Sequence, residues 1–258
     1  MNNVIPDFIA DRICKPTLSK YVVRGSTPVP FFGNFFSAST YTIGINPSLK
    51  EFYSSSGELL KMGEKRLEDF QSLGIDQSLE FPYPISNTYI DSIFAACINY
   101  FQKKPYHWFE PIEHTVNRVC DSSYFDNSAC HLDLVQWATD PIWSAILEFD
   151  PTDARYLLDS DLPFLYQQIN WIKNHNPNLK RFVLSGKTVI NSLKDSFSLS
   201  LEGKTAVEGK NHQYSLYTGD FKGTPVYGTS MNISDSHTSD LHREYLRLWI
   251  KEKEILVK

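Results

Sequence analysis

Thr40-Tyr41-Thr42-Ile43-Gly44-Ile45-Asn46-Pro47-Ser48 is the stretch whose reading decides the fold. β-Branched and aromatic residues run to a glycine, and an Asn-Pro turn follows. Proline disfavours helix at the residue before it. The stretch is therefore a strand that stops abruptly and leaves Asn46 at its C-terminal edge. In α/β proteins that edge is where ligands bind. Read alone, Asn46 is equally a plain turn residue.

The same pattern recurs along the chain. Ser128 to Val135 reads as a second strand, followed by Gln136-Trp137-Ala138-Thr139-Asp140-Pro141. Arg181 to Ser185 is a third, turning at Gly186 into a helix over 187–197. Tyr214–Tyr217 and Phe221–Tyr227 form a hairpin turned at Gly219-Asp220, leading into a last strand, Val226–Met231. Helices are predicted over 59–73, from Asp91 or Ser92 to Phe101, over 110–119, just after Pro141, and over 162–174. The last runs from Ser239 to Lys253, with Leu241, Tyr245, Leu248 and Trp249 on one apolar face. Residues 75–88 read as an irregular linker, and 1–38 as a Pro-rich, aromatic N-terminal extension of a core over 39–253. Helices between strands imply a mainly parallel sheet covered on both faces. The expectation is one domain over 1–258: a three-layer α/β/α sandwich on a central, mainly parallel four-stranded sheet.

Composition narrows the function classes. With 258 residues, 41% of them hydrophobic and 21% charged, the chain reads as a soluble globular protein. A net charge of −5 argues against broad non-specific nucleic-acid binding. Residues 172–222 nevertheless carry eight basic against four acidic side chains, a local surplus that suits phosphates or a solvated face. The four cysteines form no C-x-x-C pair, and no secretory leader is read, so reduced thiols in the cytoplasm are expected. Neither a metal nor another cofactor is expected, and no apolar run reaches membrane-spanning length. Gly186-Lys187-Thr188 looks like the end of a Walker A motif without its earlier glycine, and no nucleophile elbow is present.

Three strand ends carry distinctive residues: Gly44-Ile45-Asn46-Pro47-Ser48, Cys130-His131-Leu132-Asp133-Leu134, and Ser236-His237-Thr238-Ser239-Asp240-Leu241-His242. In this order and at these separations they resemble the uracil-DNA glycosylase superfamily. Gly44 to Pro47 match the first motif of its mismatch-specific branch. His237, Ser239 and Leu241 match a His-x-Ser-x-Leu second motif. The resemblance spans about 40 to 250 and lies in the strand ends more than in the helices between them.

That resemblance implies hydrolysis of an N-glycosidic bond in DNA, with the base flipped out of the stack. Asn46 would place the attacking water, and His237 would donate to the O2 of the leaving base. Leu241 would wedge into the gap left by the base, although it also falls on the apolar face of the last helix. Ser239 and Lys187 are the phosphate contacts it suggests. Phe52 is the first choice for stacking on the base, and Tyr106 the second. The partner is DNA, double- or single-stranded, bound by a monomer.

Two departures from the family shape the substrate expectation. Asp133 stands where classical members carry an Asn that reads uracil. A carboxylate accepts hydrogen bonds, which suits the N4 amino group of cytosine. His131, two residues earlier, is placed to orient it; capping a turn is the plainer alternative for Asp133. Ser48 stands where the classical branch has a Tyr that blocks the C5 position. Together they point to excision of a C5-modified cytosine, hydroxymethylated or glucosylated, as in viral DNA, and so to antiviral defence. A uracil or mismatched-thymine glycosylase of base-excision repair, and a non-catalytic binder of modified DNA, are the competing functions.

Overall fold

The structure, a computed structural model, describes residues 4–76, 85–206 and 213–257. It is α/β, with a mixed seven-stranded sheet. In chain order the elements are α1 (Asp7–Cys14), β1 (Phe32–Gly33), β2 (Thr40–Gly44), α2 (Asn87–Ile98), α3 (Glu110–Ile112), β3 (Ala129–Asp133), α4 (Trp143–Phe149), α5 (Pro151–His175), β4 (Arg181–Ser185), α6 (Lys187–Leu193), β5 (Ser200–Ala206), β6 (Gln213–Phe221), β7 (Thr224–Thr229) and α7 (Asp240–Val257). The strand order is β1-β3-β2-β4-β7-β6-β5. The expected four-stranded, mainly parallel sheet is thus corrected to seven strands. Parallel pairing joins β2 with β4, and β4 with β7. β7, β6 and β5 run antiparallel, because tight turns and short connections cannot join parallel neighbours.

The chain divides into two compact units. One comprises Asn34–Gly44, His107–His131 and Ile172–Lys258. Here β2 and β4 are buried at every position, as strands covered on both faces are. Tyr41, Phe182, Phe197 and Phe221 pack ring against ring at 5.2–6.2 Å between centroids. Arg181 opens β4 and grips Glu254 of α7 with two nitrogens, at 2.6 and 2.7 Å. Its third nitrogen donates to Thr40 Oγ1 and the Cys120 carbonyl.

In this unit the β6–β7 turn falls at Lys222-Gly223, not at Gly219-Asp220. Both turn residues have positive φ, 51° and 85°, as a tight hairpin turn requires. Gly219 instead pairs with Val226 inside the ladder. A Cβ there would lie 2.5 Å from the Phe197 carbonyl oxygen and 2.9 Å from a Leu199 methyl. Gly219→Ala is therefore expected to cost about 1–3 kcal/mol through overpacking. Urea unfolding measures it; an unchanged midpoint would show that the ladder yields freely.

The other unit comprises Met1–Gly33, Ile45–Tyr106 and Leu132–Trp171. Ile9 and Ile13 of α1 are fully buried, so residues of the expected extension supply core. Val135, Trp137, Trp143, Ile146, Ala154 and Leu157 form one apolar cluster. α5 starts eleven residues before the predicted 162 and carries Pro163 inside it. Proline is common in a first helical turn, which is why Pro163 reads as a start. α2 is capped by Ser86, whose side chain accepts from the Tyr89 N–H, more than one turn before the predicted cap. The helix predicted over 59–73 is absent. Its backbone groups go elsewhere: the Leu60 N–H to the Phe52 carbonyl and the Phe70 N–H to the Gly25 carbonyl. One 3-10 turn, Met62–Glu64, remains. The predicted linker over 75–88 lies mostly outside the described residues.

Candidate functional site

Asn46 follows the end of β2 and is half-buried. The Ile45 carbonyl before it accepts from the Val135 N–H at 2.9 Å. The Asn46 side-chain amide then donates to the Pro47 carbonyl at 3.0 Å, Thr139 Oγ1 at 3.0 Å and, more weakly, the Trp137 carbonyl at 3.4 Å. Three acceptors thus fix the Nδ2 end and turn Oδ1 away from them. Residues 137–139 do the holding, and Ser48 also bridges to Thr139.

Ser48 is half-buried and caps the next turn, its Oγ accepting from the Lys50 N–H at 3.1 Å. The capped 3-10 turn, Leu49–Glu51, points Glu51 into the interior. Glu51 is 3% exposed. Its Oε2 accepts from the Tyr100 hydroxyl at 2.7 Å, and that hydroxyl accepts from the Tyr106 N–H at 3.0 Å. Burial pushes the Glu51 carboxyl up to about 7; the Tyr100 hydrogen bond and Arg66 oppose this, and the negative charge of Asp133 adds to it. Arg66 donates to the Lys50 and Lys104 carbonyls and lies 5.7 Å from the centre of the Tyr106 ring. It ties the turn after Asn46 to the loop that carries Tyr106. Burial, then the Glu51 charge, raise the Tyr106 hydroxyl.

Asp133 ends β3 and is 2% exposed. Its carbonyl accepts from Gln136 Nε2 at 2.8 Å. Asn46, Ser48, Glu51, Tyr106 and Asp133 belong to one unit, in which 135–139 supports the turn that carries Asn46 and Ser48. Phe52 is 2% exposed, which makes it a core side chain and leaves Tyr106, half-buried under Arg66, as the aromatic with an accessible edge.

The second motif lies in the other unit. His237 is exposed in the loop before α7, its backbone N–H donating to Asp235 Oδ1 at 2.8 Å. Ser239 precedes α7, and its Oγ bonds His242 Nδ1 at 2.9 Å and accepts from the His242 N–H. Its hydroxyl is engaged as a helix cap. Leu241 is 40% exposed, and the predicted apolar face is corrected: Tyr245 and Leu248 also face outward, while His242, Leu246 and Ile250 are buried. The inward stripe contains a histidine, which hydropathy alone passes over. Lys187 is exposed at the start of α6, after Gly186 at φ 105°. His131 is buried, with Thr42 Oγ1 2.7 Å from Nδ1 and the Trp108 and Phe109 rings edge-on to it. These neighbours hold it in the interior of its unit.

Two features of the site are hidden from sequence reading. Ser48-x-x-Glu51 has the form of a capping box, in which Glu folds back on the turn's own backbone. Here the Glu reaches Tyr100 instead, a partner forty-nine positions away that spacing does not reveal. The support given by 136–139 is equally hidden, since Trp137 acts through its carbonyl. Among the described residues no cluster of three or more His, Cys, Asp or Glu is placed to hold a metal ion. None of the described helices is long and apolar enough to cross a membrane. No family model matches the chain, and no curated protein matches it significantly.

Proposed function

We propose that this chain is a monofunctional DNA glycosylase acting on a flipped-out, C5-modified cytosine, with the three-layer arrangement its strand-end motifs suggest. The observation that carries the reading is the clamped amide of Asn46. Its nitrogen is committed to three acceptors, so its carbonyl oxygen is the end offered to a ligand. A carbonyl oxygen holds a water without being a strong base, which suits a bond largely broken before water attacks. By the resemblance of its motif, His237 has the role of donor to the leaving base. The small Ser48 leaves room at C5, and Asp133 accepts from the exocyclic amino group.

The test is base release from single- and double-stranded oligonucleotides carrying cytosine, hydroxymethylcytosine, its glucosylated form, uracil or mispaired thymine. Released bases are identified by mass and abasic sites by alkaline cleavage. The expected result is release of a modified cytosine, slowed about a hundredfold by Asn46→Ala with DNA affinity retained. Release of uracil alone would move the specificity to the repair reading. Tight binding without abasic product, in wild type and Asn46→Ala alike, would make the chain a binder.

A further inference from the structure

The outer face of α7 walls a hollow of about 380 Å³ against residues 118–121, the segment that follows the π-helical turn Glu113–Asn117. On the helix side Arg247, Leu248, Lys251, Glu254 and Ile255 recur at helical spacing and share one face. All of these residues belong to the unit that carries α7. One buried guanidinium braces both walls: Arg181 donates to the Cys120 carbonyl at 2.9 Å and to the two Glu254 oxygens at 2.6 and 2.7 Å. The hollow is thus preformed, and its volume falls in the range of about 300–1,000 Å³ that small-molecule sites occupy. The brace also spends the charge of Glu254, while Arg247 is paired along the helix with Glu244 at 2.7 Å. Arg118 and Lys251 are exposed, and among the described residues their side chains have no hydrogen-bond or ion-pair partner. Asp121 is the one lining carboxylate left uncommitted.

Two free cations suit a phosphate, because hydrogen bonds between ionised partners are the strong ones. Val119, Leu248 and Ile255 add apolar lining, and Leu248 and Ile255 are 51% and 65% exposed. A flat apolar ring laid on them removes that surface from water. Asp121 accepts from hydroxyl or amino groups. We propose that this hollow binds a nucleoside monophosphate, with Arg118 and Lys251 on the phosphate, Leu248 and Ile255 under the base, and Asp121 on a sugar hydroxyl or a base amino group. A bare phosphate leaves the apolar lining wet, and a fatty anion leaves Asp121 without a donor. The same chemistry recognises a free nucleotide and the phosphorylated end of a DNA strand. The site is independent of the base-release chemistry proposed above.

The test titrates the full chain with adenosine monophosphate, adenosine and inorganic phosphate, read by calorimetry and by backbone amide shifts. The monophosphate is expected to saturate the chain with shifts centred on 118–121 and 247–255, and to bind about tenfold more tightly than either fragment. Arg118→Ala and Lys251→Ala each weaken it about tenfold. Leu248→Ser weakens the monophosphate and leaves inorganic phosphate unchanged. All three side chains are exposed, and an unchanged urea midpoint verifies each fold. A short single strand with a terminal phosphate forms the second arm. Tighter binding than the monophosphate, with the same amides shifted, identifies the occupant as a strand end; weaker binding identifies it as a free nucleotide. Shifts elsewhere, affinity unmoved by both Arg118→Ala and Lys251→Ala, or inorganic phosphate binding as tightly as the monophosphate overturns the proposal. None of these outcomes turns on base release, so the site and the glycosylase reading stand or fall separately.

Discussion

Glu51→Gln is expected to stabilise the folded chain by about 3 kcal/mol at pH 8 and to leave it unchanged near pH 4. The carboxyl titrates near 7 in the fold and at its ordinary value of 4.5 when unfolded. Between those values the folded state binds the extra proton, so wild-type stability falls as pH rises through the window and levels off above it. The difference of 2.5 pH units corresponds to about 3 kcal/mol. A glutamine carries no charge to desolvate, and its carbonyl still accepts from Tyr100. Urea unfolding at pH 4, 6 and 8 checks the expectation. A Glu51→Gln variant equally stable or less stable than wild type at pH 8 would show that Glu51 ionises in the fold at no cost.

Much of the fold is legible because parallel strands announce themselves. β2, β3 and β4 are short apolar runs bounded by turn residues, and all three lie within two residues of the predicted positions. The antiparallel side is less legible. β6 contains Gly219, which reads as a turn, although its purpose is close approach to the Phe197 carbonyl. The predicted helix over 59–73 fails for a related reason. Leu60, Leu67 and Phe70 are buried as their hydropathy demands, but their backbone is bonded to distant segments rather than to itself.

Candidate site residues divide the same way. Asn46 and Asp133 are visible because a polar residue ending a strand is a local pattern. Their orientation is not, since the Asn46 amide depends on Trp137 and Thr139 some ninety positions away. Glu51 looks like any charged turn residue until its burial is known. Phe52 and His131, both promising by position, are buried to the same degree as Glu51 and Asp133.

Asp161→Ala is expected to cost about 3–5 kcal/mol, the usual loss when one partner of a buried ion pair is removed. Arg12 and Asp161 meet at 2.8 Å with side chains 3% and 1% exposed. The same Asp161 oxygen accepts from the Gln136 N–H at 2.8 Å, and Arg12 Nε donates to Gln136 Oε1 at 3.1 Å. Removing the carboxylate strands a guanidinium and a backbone N–H together, away from water. Replacing both partners by apolar residues, Arg12→Met with Asp161→Leu, is expected to recover much of the loss, since no charge is left unpaired. The consequence for the site follows from Gln136, whose Nε2 holds the Asp133 and Leu134 carbonyls. Asp161→Ala removes the acceptor of the Gln136 N–H, and the double variant also frees Gln136 Oε1 from Arg12, so the strand end presenting Asp133 is expected to loosen. Denaturation gives the stability change, and hydrogen exchange at 133–139 gives the loosening. A double variant that regains stability yet keeps fast exchange there would separate the two effects: it would show that the ion pair serves the register of Asp133 more than the endurance of the fold.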